Sequence, residues 1–569
     1  MTLVDSFAQP NTSVAEPFPL GAVVTETGTQ FALWAPSAQK VTLRLFSRGS
    51  MGESGDALIG QYTMRPESDG SWTYDFADNM HGVYYDFLIE RDCGSVDRIA
   101  DPWARGAGVN GRSMVVDFSR TNPDGWYRDH MPDVPLAQTV VWETHVGDFS
   151  NDPAGGFPES HRGKYLAFTD DGTSLDGHPD FPTGIAYLKK LGVTAVQLMP
   201  IYDFGSVDEE TCDRYNWGYD PVNYNVPEGS YSSDPSNPSS RVTEMKQMVK
   251  GLHKNDIRVI MDVVYNHVYN AANHSFNKTV PGYYFRYDDN GSLVNDSGCG
   301  NDTASERAMM RKYIVDSVTY WAKNYNIDGF RFDLMGLIDT KTMQEVRAAL
   351  DKIDPSIIVL GEGWDMNSTM DKSEMTIQPN AYQVASDGTN NGIAFFNDSI
   401  RDGLKGSVFS DTDTGFVSGK ADQESLIAHN VLGCQYDADA ITTCWNGNAQ
   451  DHYADAGQVV NYAEIYDNMT LYDKLRKSVP TDDEATTEAR AKLADSVVYL
   501  SEGIPAIQLG QEFLRTKGGN DNSYNAGDEV NAIDWDRTTQ YSGSVDYVRG
   551  LIKLRNRIAA LRQTNYNDI

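Results

Sequence analysis

The chain has 569 residues, more than one ordinary domain holds, so a main domain with smaller companions is expected. Forty per cent apolar and 11 % aromatic residues support a large packed core and exclude a disordered chain. A net charge of −34 repels phosphate backbones and anionic lipid headgroups, which argues against nucleic-acid and membrane partners, whereas a neutral polymer meets no such barrier. The same acidity also serves solubility.

The opening stretch Met1–Pro10 lacks the basic and apolar regions of a secretory signal, so a cytoplasmic protein is expected. No run of eighteen apolar residues occurs. The five cysteines (Cys93, Cys212, Cys299, Cys434, Cys444) are odd in number and scattered, which suits reduced thiols better than a disulfide framework or a zinc site.

After a tail at 1–16, residues 17–125 read as a β-sandwich. Period-two runs at 30–34, 40–46, 84–90 and 113–118 are separated by Gly, Ser and Asp clusters. Its aromatics Trp34, Trp72, Tyr74, Tyr84 and Tyr85 alternate with polar residues and are expected mostly in the sandwich core. Between residues 126 and 569 the pattern becomes α/β. Short apolar runs at 140–145, 195–199, 259–263, 329–333, 357–361, 392–396, 459–463 and 505–509 alternate with helix-length segments. That repeat predicts a (β/α)8 TIM-type barrel with long loops at 201–240 and 268–305, closed by a helix over 545–561. Gly106–Gly111 fits GxGxxG, but no strand leads into it and a strand follows it, so it reads as a loop rather than a dinucleotide site.

Chemistry is suggested by where the acids fall. Asp262, Asp333, Glu362 and Asp467 each close a predicted strand, and strand ends of such a barrel share one mouth. One Asp at a strand end is usually a cap or turn former. Four together, with Arg331 two residues before Asp333, form a costly charge cluster of the kind active sites tolerate. Two carboxylates with separated pKa values are what glycoside cleavage requires, and Arg331 would hold Asp333 ionised.

The segments 262–267 (DVVYNH), 329–334 (GFRFDL), 361–364 (GEGW) and 462–468 (YAEIYDN) resemble, in order, the four signature regions of the α-amylase superfamily. The run 215–221 (YNWGYDP) is similar to the marker of type I pullulanases, its debranching branch; 298–306 and 510–525 are similar too. The resemblance covers most of 17–569 and makes the first unit a glycogen-type carbohydrate-binding module. It implies hydrolysis of α-1,6 branch linkages in pullulan, glycogen, amylopectin and limit dextrins by a retaining double displacement. Asp333 would be the nucleophile, Glu362 the acid/base, and Asp467 a group binding sugar hydroxyls. Arg331 and His267 would contact the sugar and the nucleophile, Asp262, Trp217, Tyr466 and Asn468 would complete the sugar site, and Tyr219 would stack on the ring at the cleavage site with Trp364 on a neighbouring glucose. The nucleophile and acid would sit about 5–5.5 Å apart. The implied partner is a branched α-glucan, met by a monomer that needs no cofactor. Calcium is common in the superfamily, though no ligand pattern here indicates it.

Two departures stand out. A His usually precedes the third acid, where this chain has Tyr466; loss of one such donor can cost about 10²-fold in rate. A Tyr hydroxyl also donates, reaching further and with a much higher pKa, so an active enzyme that is slower or altered in preference is expected. The β-sandwich that usually follows the barrel has no counterpart before Ile569. The alternatives are an α-1,4-acting amylase or amylopullulanase, and a weakly active or non-catalytic glucan-binding protein.

Overall fold

A computed structural model describes residues 19–109, 111–212, 214–366, 368–435 and 451–569. The tail at 1–16 and Cys444 lie outside the described residues. Cys93, Cys212, Cys299 and Cys434 are free thiols. Among the described residues no helix is long and apolar enough to cross a membrane.

The first unit packs two antiparallel sheets. One orders Gly21–Thr25, Gly28–Trp34, Ser71–Phe76 and Arg65–Pro66; the other orders Leu58–Thr63, Lys40–Phe46, Tyr84–Glu90 and Val96–Ile99, with Ser113–Met114 also paired to Tyr84–Glu90. Lys40–Phe46 runs against Tyr84–Glu90 in unbroken register, Lys40 facing Glu90 and Phe46 facing Tyr84. Phe31, Leu33, Val41, Leu43, Tyr85, Phe87 and Ile89 fill the space between the sheets. The period-two pattern therefore does what the pleat demands, turning alternate side chains inward.

The aromatics divide differently from expectation. Trp72 and Tyr85 lie in the sandwich core, while Tyr74 and Tyr84 are only partly buried. Trp34 is buried against the barrel instead, edge-on to Tyr283 (5.1 Å between centroids) and Tyr284 (6.2 Å). Beside it Trp103 meets Tyr313 at 4.7 Å, and the Tyr313 hydroxyl donates to the Pro102 carbonyl. Alternation reveals that a residue points inward, but not whether the inward neighbour belongs to the same sheet pair or to another unit.

The loop at 106–111 is explained by close backbone packing. A Cβ on Gly108 would meet Gly49 Cα at 2.6 Å, and one on Gly111 would meet the Gly49 carbonyl at 2.2 Å. Glycine is required there by contact.

Eight parallel strands form a closed barrel: β1 Val141–Thr144, β2 Ala195–Leu198, β3 Arg258–Val263, β4 Gly329–Phe332, β5 Ile358–Gly361, β6 Ala394–Phe396, β7 Val459–Asn461 and β8 Ile504–Gln508. Closure comes from β1 pairing with β8, Val141 opposite Ala506. All eight predicted runs are strands. They are legible because strands buried on both faces carry near-continuous apolar runs. Val141, Ala195, Ile260, Ile358, Leu360, Ala394, Phe396 and Val460 pack the interior. The closing helix spans Ser542–Arg557. The long 201–240 loop contains an antiparallel ribbon, Tyr202–Phe204 against Pro221–Pro227, which carries the 215–221 run to the barrel mouth.

Trp34→Ala should lower stability by about 3–5 kcal/mol, the usual cost of emptying a large aromatic site, read as a reduced unfolding midpoint.

Candidate active site

Asp262 lies within β3, and Asp333 and Glu362 directly follow β4 and β5. Asp467 corrects the sequence expectation: β7 ends at Asn461, so this acid sits in the following loop rather than at a strand end. The tight turn after β4 has Leu334 at φ +40°, a left-handed conformation that a non-glycine residue adopts only under constraint. That turn aims the Leu334 N–H at Glu362 Oε2, 3.0 Å away.

Arg331 joins the acids. Its Nη1 donates to both oxygens of Asp262 (3.1 and 3.0 Å) and to Oδ1 of Asp333 (3.0 Å). Its Nη2 lies 2.6 Å from Oε1 of Glu362, a close contact in which the N–H is not aligned on the oxygen. Arg331 and Asp262 are 0 % exposed. Asp333 and Glu362 thus sit on neighbouring nitrogens of one guanidinium, which places both beside a single sugar-sized space.

One cation among three buried carboxylates leaves uncompensated negative charge, and protons are the cheapest remedy. Burial pushes Glu362 up to about 8; Arg331 pulls it down, while Asp333 and Asp467 push it further up. Burial likewise carries Asp262 to about 7 against the pull of Arg331. Asp467 is exposed at the mouth. Surrounding protein still raises its carboxyl above the ordinary range, an effect that its solvent access moderates. Asn468 follows it at φ +68° and donates its backbone N–H to Asp467 Oδ1 at 2.9 Å.

The aromatic and histidine residues of the predicted site are placed in detail. Tyr219 donates its hydroxyl to Asp262 Oδ2 at 2.7 Å. His267 Nε2 donates to the Tyr219 carbonyl at 2.8 Å, so His267 pins the 215–221 run to β3 and holds no described hydrogen bond to Asp333. Tyr466 donates its hydroxyl to Asp333 Oδ1 at 3.2 Å. Trp217 is buried edge-on to Tyr466. Trp364, expected to stack on a glucose, is only 9 % exposed; it packs with the barrel-interior cluster, its ring 5.7 Å from the Arg401 guanidinium carbon. A side chain so enclosed offers little face to a sugar.

Three contributors escaped the sequence reading. Asn266 donates from Nδ2 to Asp333 Oδ2 at 2.9 Å and to its carbonyl at 2.8 Å. Glu143, inside β1, accepts from Gln197 Nε2 at 2.9 Å and from the Tyr466 backbone N–H at 2.5 Å; burial pushes it up to about 8. Lys517 is buried with its Nζ 5.2 Å from the Trp217 ring centroid, and burial draws it down to about 8. A charged residue in a strand buried on both faces was the available signal for Glu143.

In the loop after β2, Asp203, Glu209 and Glu228 bring carboxylate oxygens within 4.8 Å of one another. Buried Arg241 donates from Nη2 to Glu209 Oε2 at 3.0 Å, placing a guanidinium counter-charge at that cluster.

The model described as Alpha amylase, catalytic domain, matches residues 181–291, and Carbohydrate-binding module 48 (Isoamylase N-terminal domain) matches 19–104. Pullulanase of Bacillus subtilis (strain 168) is 38 % identical over 551 residues, covering 97 % of this chain and 73 % of that relative. Pullulanase 1, chloroplastic, of Arabidopsis thaliana is 32 % identical over 91 % of this chain and 60 % of its own length. The crystal structure of Paenibacillus barengoltzii pullulanase complexed with maltohexaose and α-cyclodextrin superposes with a TM-score of 0.90 at 40 % identity, over 99 % of this chain and 84 % of that one.

The chain belongs to the pullulanase family of the α-amylase superfamily.

Read as the proton donor that the sequence resemblance implies, Glu362 must hold its proton at working pH. With Glu362 near 8, the acid form dominates below that pH and is lost above it. The value of kcat/KM on a branched glucan should therefore fall about tenfold per unit above pH 8. Glu362→Gln should lower the plateau by about 10²–10⁴-fold and abolish that alkaline limb.

Proposed function

We propose that this pullulanase hydrolyses α-1,6 branch linkages of α-glucans such as pullulan, glycogen, amylopectin and limit dextrins, with retention at the anomeric carbon. One observation carries the mechanism: Arg331 holds Asp333 Oδ1 on Nη1 while Glu362 Oε1 lies against Nη2, so two carboxyl groups flank one space and burial lifts that of Glu362 to about 8.

A carboxylate of Asp333 attacks the anomeric carbon as Glu362 passes its proton to the leaving glycosidic oxygen. A covalent glycosyl ester forms, and a free hydroxyl departs with the other half of the substrate. Glu362, now a carboxylate, takes a proton from water. That water attacks the same carbon from the face the leaving group vacated, returning Asp333 and preserving the α configuration. Asn266 and Arg331 hold the nucleophile by separate oxygens, which fixes its orientation for attack. Asp467, exposed at the mouth, is suited to bind sugar hydroxyls. Water is the only co-substrate, so the reaction needs no cofactor.

The related pullulanases support pullulan as a substrate, as do the maltooligosaccharides bound in their crystal structures.

Incubated with pullulan, the enzyme should release maltotriose, seen by chromatography; panose or isopanose would refute α-1,6 cleavage. Asp333→Asn should lower kcat by about 10⁴-fold or more, as nucleophile removal does elsewhere. Proton NMR during the first turnovers should show the α-anomer appearing before mutarotation.

A further inference from the structure

Tyr466 stands where a reacting sugar would need to be. Its ring lies face to face on Tyr219, with centroids 4.5 Å apart and planes 19° from parallel. Trp217 meets it edge-on at 5.0 Å and 86°. Its hydroxyl donates to Asp333 Oδ1 at 3.2 Å, and the Arg331 guanidinium carbon is 5.3 Å from its ring centroid. A pyranose about to be attacked needs its anomeric carbon within about 3–3.5 Å of a carboxylate oxygen. It also profits from a flat aromatic face under its C–H groups. Tyr466 already presents a six-membered ring to Tyr219 and an oxygen to Asp333, and two such groups cannot share that volume.

We propose that Tyr466 occupies the place of the reacting glucose unit in the unliganded enzyme, and that its displacement by substrate sets the affinity of the pocket. This rests on the reading of Asp333 as the nucleophile.

The backbone of Tyr466 is held on both sides. Its N–H donates to Glu143 Oε2 at 2.5 Å, and its carbonyl accepts from Lys517 Nζ at 3.5 Å. Displacement therefore proceeds through the two side-chain torsions rather than by withdrawal of the loop. It breaks the stack on Tyr219, the edge contact to Trp217 and the hydrogen bond to Asp333. Each of these is paid back in apparent affinity, because only the fraction of enzyme with the ring moved aside can bind. Displacement also removes one of the two donors on Asp333 Oδ1, leaving Arg331, so the nucleophile is released as the sugar arrives. An imidazole at this position could neither cover Tyr219 with a six-membered ring nor reach as far toward Asp333, so the effect belongs to this chain's tyrosine.

The test is calorimetric titration of maltotriose into the full chain, comparing wild type, Tyr466→Phe and Tyr466→Ala, with KM for pullulan measured alongside. Tyr466→Phe keeps the ring and loses its tether to Asp333; Tyr466→Ala loses both. Each should bind maltotriose about threefold to tenfold tighter than wild type, with KM falling in parallel. Variants that keep the wild-type unfolding midpoint yet bind maltotriose equally or more weakly would overturn the proposal, and Tyr466→Phe decides the matter if the alanine variant unfolds. Wild-type turnover of pullulan separates the two readings: an active wild type with untightened variants overturns the occlusion alone, whereas an inactive wild type overturns the hydrolase assignment.

Discussion

Arg331 leaves β4 with its guanidinium shared among Asp262, Asp333 and Glu362, and solvent does not reach it. The protonation of the mouth follows from that shared charge. Removing the cation of such a cluster leaves its carboxylates uncompensated and costs about 3–5 kcal/mol, so the three acids depend on Arg331. Because one positive charge cannot neutralise three negative ones, the site must retain protons. Glu362 and Asp262 are where burial places them. A division of labour between the carboxyls of Asp333 and Glu362 would thus follow from charge balance among buried groups.

Around that centre the structure uses backbone groups to hold what side chains must do. The left-handed turn at Leu334 delivers an N–H to Glu362, and His267 ties the Tyr219 carbonyl to the end of β3. Glu143 on β1 reaches across the barrel mouth to the backbone of Tyr466, more than three hundred residues later in the chain. Such cross-barrel tethers suit a site whose parts come from different strands, since each strand alone has no means of registering the others. The N-terminal module is joined to this scaffold through Trp34 and Trp103, which pack on tyrosines of the barrel. Those two tryptophans are therefore committed to holding the module in place and are not available as sugar platforms.

Tyr466 shows how one residue type alters a site whose framework is otherwise ordinary for the family. In sequence it reads as a weakened donor, because a phenol replaces an imidazole. In the folded chain burial and the neighbouring acids raise its hydroxyl well above the usual phenol range, so it remains a donor to Asp333 at any working pH. Trp364 makes the complementary point. Its place in the motif suggests a sugar contact, whereas its packing beside Arg401 encloses the ring.

The strands, their order and the convergence of the acids were determined by the sequence alone. Parallel strands buried on both faces must be apolar throughout, and such runs as 259–263 and 357–361 are visible without any partner; the carboxylates that interrupt or follow them stand out for the same reason. The sandwich was legible through its period of two. Only the tertiary structure decided that Trp34 faces the barrel, that Asp467 belongs to a loop, that Asn266 and Glu143 take part, and that Tyr466 covers Tyr219. Protonation belongs to this second group. A carboxyl's pKa is set by burial and by charges brought near from distant segments, and no local pattern encodes either.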